Sequence, residues 1–179
     1  MAVCGSLRAE SANKSILEAA LRCLPKHCEP LMYDGLLDLA NFNPDTQGNE
    51  PDTALELKNY ALISDAFVFA IPEYAHGIPG AFKNMLDWLV TSGEMIYKPI
   101  SILNCSPYSQ FAPDQLREVL RAMDTRVIET ACESFPFRGK SVTADDILQN
   151  QNYKDLLSAL MLTLVESIPE SRREIAEKS

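Results

Sequence analysis

One uninterrupted apolar run constrains this chain more than any other feature: AFVFAI (Ala66–Ile71), built on Val, Ile and Phe. PISILN (Pro99–Asn104) reads as another buried strand. A strand with no polar alternation has no solvent face. It must be covered on both sides, as the strands of a parallel sheet between two helical layers are. The intervening segments have the helical period that such a fold needs. Apolar residues recur at helical spacing in Ala12–Leu24, Gly80–Val90 and Asp114–Met123, and more weakly in Thr53–Ser64.

Shorter strands are expected at Met1–Cys4, Pro30–Tyr33 and Arg126–Ile128, with a loop over Gly35–Asp45. Thr143 and Asp146 have the spacing of a capping box, and a last helix is expected from about Asn152. The polar tail SRREIAEKS is expected to fray. Strand and helix thus alternate about five times, the signature of a doubly wound α/β fold. A chain of 179 residues suits a single domain spanning 1–179.

Charge and cysteine usage narrow the partners. With 25 acidic against 16 basic residues the net charge is −9, which argues against nucleic acid or an anionic membrane as partner. The five cysteines form no C-x-x-C pair, and the N-terminus lacks the pattern of a signal peptide, so reduced thiols in a cytoplasmic protein are expected. Cys23, His27 and Cys28 lie close in sequence, but no second cluster exists to complete a metal site, and none is expected.

Doubly wound sheets bind ligands at the carboxyl ends of their strands. Three loops therefore matter: GSLRAESAN (Gly5–Asn13), PEYAHGIPG (Pro72–Gly80) and CSPYSQFAP (Cys105–Pro113). The first offers Ser6, Ser11, Asn13 and the permanent cation Arg8 just before a helix N-terminus, where free amides and the helix dipole favour an anion. It has neither the Gly-Lys-Ser/Thr of a P-loop nor G-x-G-x-x-G, so a mononucleotide phosphate fits best. The plainer reading is that Ser11 caps the helix and Arg8 is solvated.

Together, two of these loops resemble the NADPH-dependent FMN reductase family. GSLRAESAN is similar to its G-S-L-R-x-x-S-x-N phosphate loop, and PEYAHGIPGAFKNMLDWL to its P-E-Y-N-x-x-I-P-G-x-x-K-N-x-x-D-W motif. LANFNPD (Leu39–Asp45) looks like the family's segment before the second helix. The resemblance implies a flavodoxin-like, five-stranded doubly wound sheet with helices on both faces, binding FMN. It also implies hydride transfer from NADPH or NADH through the flavin to a small acceptor such as a quinone or free flavin, in a homodimer or homotetramer.

By position it implies that Ser6, Arg8, Ser11 and Asn13 hold the FMN phosphate. Pro72, Glu73, Tyr74 and Ala75 would line the ring, chiefly through backbone groups, with Gly77 and Ile78 completing the turn. Ser106 would close the site from the fourth strand's loop. No side chain is assigned a catalytic role, because the flavin carries the chemistry and only two histidines, His27 and His76, are present to build a triad.

Three departures from the family pattern stand out. The first strand is short, Ala75-His76 replaces an Asn and a small residue, and the fourth loop lacks the glycines common in relatives. Several readings stay open. His76 is a ring contact or a surface residue, and Tyr74 walls the flavin or packs the turn. Phe82, Met85 and Trp88 are core or a subunit contact, while Cys105 reads as a buried small residue. A flavodoxin-like carrier without NAD(P)H turnover is the alternative function, and a nucleotide hydrolase or transferase a remoter one.

Overall fold

The computed structural model describes residues 1–137 and 141–170, so the expected fraying of the tail lies outside the described residues. The chain forms β1 (Ala2–Cys4), α1 (Ala12–Arg22), β2 (Met32–Tyr33), α2 (Asp52–Ile63) and β3 (Phe67–Ala70). It continues through α3 (Gly80–Val90), β4 (Pro99–Asn104), α4 (Phe111–Ala122), β5 (Arg126–Val127) and β6 (Glu133–Ser134), and ends with α5 (Ala144–Gln149) and α6 (Gln151–Glu166). All strand pairs are parallel and the sheet runs β2-β1-β3-β4-β5. Every residue of β3 and β4 is buried, including the polar Ser101 and Asn104 of β4, whose side chains find hydrogen-bond partners inside the fold.

Side chains alternate across the sheet and divide the interior in two. Phe67, Phe69 and Ile71 face α2, α3 and α4, packing on Leu57, Phe82, Leu86 and Leu116. Val68 and Ala70 face α1, α5 and α6, packing on Ile16, Leu17, Ile147 and Leu157. Phe82, Met85 and Trp88 are at most 2% exposed, so all three side chains are core. Trp88 Nε1 and Asn84 Nδ2 both donate to the carbonyl of Ala40, at 2.7 and 3.0 Å, and the Phe42 amide donates back to Asn84 Oδ1 at 2.7 Å. The K-N-x-x-D-W stretch thus fixes the LANFNPD segment, whose Phe42 ring meets Trp88 edge-on at 5.1 Å.

The fifth sheet position differs from the single strand expected at Arg126–Ile128. β5 and β6 both pair with β4, at its start and its end, and a 3-10 turn over Glu129–Ala131 separates them. Across the gap Ser101 Oγ donates to the Ala131 carbonyl at 2.6 Å, and the Ile102 amide donates to Cys132 Sγ at 3.2 Å. Side-chain bonds replace the missing rungs of the ladder. Helix α4 also starts three residues earlier than its apolar period suggests: Pro113 is tolerated in a first turn, and a carboxylate from another loop receives the Ala112 amide.

Candidate active site

Strand order reverses between β1 and β3, so the loops leaving them diverge and open a crevice at the carboxyl edge of the sheet. A cavity of about 950 Å³ fills it. Gly5 brings the first two loops together. Its amide donates to the Ala70 carbonyl at 2.8 Å, and a Cβ there would stand 3.1 Å from Ile71 Cγ2 and 3.4 Å from Pro72 Cδ. A side chain there would press on Ile71, which would have to give by a few tenths of an ångström.

The first loop presents donors. Ser11 is the N-cap of α1 in an extended conformation, yet its hydroxyl bonds none of the helix amides. The simple capping reading therefore does not hold. The amides of Ala12, Asn13 and Lys14 have no partner among the described residues, since the first intrahelical bond runs from Ser15 to the Ser11 carbonyl. Ser6 is buried and its Oγ accepts the Arg8 amide at 3.4 Å, while the exposed Arg8 guanidinium has no partner among the described residues. Lys14 also lines the cavity, but so do Glu10 and Glu18, so attraction for an anion comes from aimed N–H groups and not from net charge.

PEYAHGIPG folds as a miniature hairpin. Tyr74 and Gly77 exchange two backbone hydrogen bonds of 3.1 and 3.0 Å, and both residues between them are left-handed, Ala75 at φ 48° and His76 at φ 59°. Turns of this kind favour Asn and Gly, because a Cβ is strained there. The Ile78 amide is taken by Gln115 Oε1 at 2.9 Å, and Glu73 Oε2 accepts the Ala112 amide at 3.0 Å, capping α4. His76 stacks on the Phe111 ring at 4.3 Å. Pro72, Glu73 and Tyr74 reach the cavity; Ala75, Gly77 and Ile78 do not, the hairpin carrying Gly77 and Ile78 against Gln115 of α4. The Glu73 amide has no partner among the described residues, and Glu73 lines the cavity.

The fourth loop is braced by Asn104, whose Nδ2 donates to the Ser106 carbonyl at 2.8 Å while its Oδ1 accepts the Ser106 amide at 3.0 Å. Ser106 and Tyr108 of the braced loop line the cavity. Burial pushes the Cys105 thiol pKa up to about 12 and raises that of Cys4.

Asn104, Tyr108, Lys14 and Thr143 line the same cavity without having been singled out as site residues. Asn104 had a usable signal, a polar residue closing an apolar strand. Thr143 announces only a capping box, which does form; its place at the cavity is a tertiary fact. Among the described residues no three His, Cys, Asp or Glu side chains group as metal ligands.

The family model for NADPH-dependent FMN reductase matches residues 1–137. The chain belongs to the NADPH-dependent FMN reductase family. An NADH-dependent flavin reductase subunit of Lactobacillus johnsonii is 29% identical over 133 residues, covering 69% of this chain and 70% of its own. An NAD(P)H-dependent FMN reductase of Pseudomonas aeruginosa is 28% identical over 170 residues, covering 84% and 89%. Among solved structures the flavoenzyme FerB of Paracoccus denitrificans, an NAD(P)H:(acceptor) oxidoreductase, superposes with a TM-score of 0.70 at 21% identity over 93% of this chain and 96% of that one. That likeness carries the flavodoxin-like fold. The family match covers the first, third and fourth strand loops and stops before Thr143, so the last cavity wall lies outside it.

Proposed function

We propose that this member of the FMN reductase family is an FMN-dependent oxidoreductase, passing hydride from NADPH or NADH to a small acceptor such as a quinone or free flavin. One observation carries the reading. Two buried side-chain atoms, Asn13 Oδ1 and Ser106 Oγ, have no hydrogen-bond partner among the described residues, and both residues line the cavity. An unmet polar atom in a folded interior costs about 1–3 kcal/mol, so two at one cavity point to a polar ligand that meets them. The three α1 amides and the Arg8 guanidinium, without partners among the described residues, are donors that suit a phosphate ester at one end, while Asn13 Oδ1 is an acceptor and asks for a donor on the ligand.

Bound FMN supplies two-electron transfer chemistry that no side chain here possesses. The chain's own part is positional. Ser6, Ser11, Arg8 and the amides of Ala12–Lys14 would hold the phosphate. Pro72, Glu73 and Tyr74 would form the ring-side wall, with the Glu73 amide as a donor toward charge developing on the ring. Ser106 would close the opposite side. Tyr74 is 52% exposed and Tyr108 79%, so the mouth stays open to a planar donor or acceptor.

Purified protein titrated with FMN should quench flavin fluorescence, and anaerobic NADPH should then bleach the bound flavin. Binding without bleaching would favour the carrier reading, and no flavin binding at all would sink both. The names of the relatives, reductases that use NAD(P)H, weigh toward the enzyme.

A further inference from the structure

We propose that helix α4 clamps the hairpin loop Pro72–Gly80 and that Gln115 is the positioning residue through which it sets that loop against the flavin, an inference that rests on the function proposed above. Gln115 belongs to neither loop motif. Its Oε1 nevertheless accepts the Ile78 amide at 2.9 Å, and a Cβ on Gly77 would lie 3.2 Å from that same oxygen. Two further contacts reach the loop from the first turn of α4: the Ala112 amide on Glu73 and the Phe111 ring on His76. The clamp therefore holds the loop before, within and after its left-handed pair.

Such a holder has a physical purpose. Ala75 and His76 both occupy a conformation that side chains disfavour, and a strained turn persists only where its surroundings over-determine it. The residues that face the cavity, Pro72, Glu73 and Tyr74, come just before the strained pair, so a relaxed hairpin moves the cavity wall. Glu73 is held before the pair and His76 within it, while beyond it Gln115 takes the Ile78 amide where Ile78 also packs on the core and Pro79 leads into α3. Gln115 is itself exposed and outside both cores, so its loss leaves the sheet packing intact.

The test compares FMN with riboflavin, which lacks the phosphate. Gln115→Leu should weaken both by the same factor, about fivefold for one lost hydrogen bond. It should also change the visible circular dichroism of the bound flavin while leaving the ligand-free melting temperature in place. Gln115→Glu keeps an acceptor at that atom and should restore affinity and spectrum. Gly77→Ala pushes on Gln115 Oε1 and should weaken binding in the wild type but not in the Gln115→Leu background, the coupling that a shared contact requires.

Unchanged affinity and spectrum in Gln115→Leu overturn the clamp, as does a loss confined to FMN, which would place the effect at the phosphate. Should Gln115→Leu fail to fold, Gly77→Ala decides alone by the same two flavins. A wild-type chain that binds neither flavin overturns the function and the clamp with it; normal wild-type binding beside an unaffected variant overturns only the clamp.

Discussion

Arg8 and Ala75 show how differently single residues act on one cavity. Arg8 is an exposed cation with no partner among the described residues, so removing it takes no observed contact from the fold. Arg8→Ala should weaken FMN about tenfold, the low end for a charge-assisted hydrogen bond at an exposed side chain, and leave riboflavin binding unchanged. Fluorescence titrations with the two flavins check it, and an equal loss for both would remove Arg8 from the phosphate. Ala75 acts on the fold. At φ 48° its Cβ costs about 1–2 kcal/mol, while glycine's freer unfolded chain costs about 0.5–1. Ala75→Gly should therefore stabilise by about 0.5–1 kcal/mol, read as a melting temperature raised by a few degrees; a lower one would mean that the methyl has a packing role. His76 drew attention in the sequence because histidine carries chemistry. Its observed work is mechanical, a ring stacked on Phe111 in a left-handed turn.

Elements with a strong period were legible: β3, β4, α1 and α3 lie within a residue or two of where apolar spacing puts them, because burial on one face or two writes that spacing. The fifth sheet position was not. Its two strands are two residues each, too short for a period, and Ser101 and Cys132 bond in place of the ladder between them. The start of α5 was legible as a local signature, and its consequence is testable. Asp146 accepts the Thr143 hydroxyl and amide, at 2.7 and 2.9 Å, and these bonds hold its carboxyl below the usual range. A depressed folded value contributes stability above the ordinary carboxylate pKa of about 4, and that contribution is lost as pH falls through the lowered value. The melting temperature of the wild type should thus exceed that of Asp146→Asn near neutrality, with the gap closing below about pH 4. A gap that persists in acid would show the box to be steric and not ionic.

At the scale of the molecule, the cavity is where the two layers meet. One wall comes from α1 and the segment leading into α5, on one face of the sheet. The other comes from the loops after β3 and β4, on the side of α3 and α4. Sequence motifs mark the two loops that approach the β1–β3 reversal, since backbone shape there depends on particular residues such as Gly5. They are silent on Ser141–Ala144, which arrives from a distant segment through tertiary packing alone. A ligand bridging the layers couples them, so FMN should stabilise the whole fold and not merely a loop. By mass action, free FMN at a hundred times its dissociation constant adds about 2.7 kcal/mol, which for a chain of this size is about 5–10 °C in melting temperature. Unfolding should remain one transition, with its midpoint climbing as FMN is raised. Hydrogen exchange should slow at the amides of Ala12–Lys14, which lack partners among the described residues. A midpoint indifferent to FMN, or protection appearing elsewhere, would move the cofactor out of this cavity.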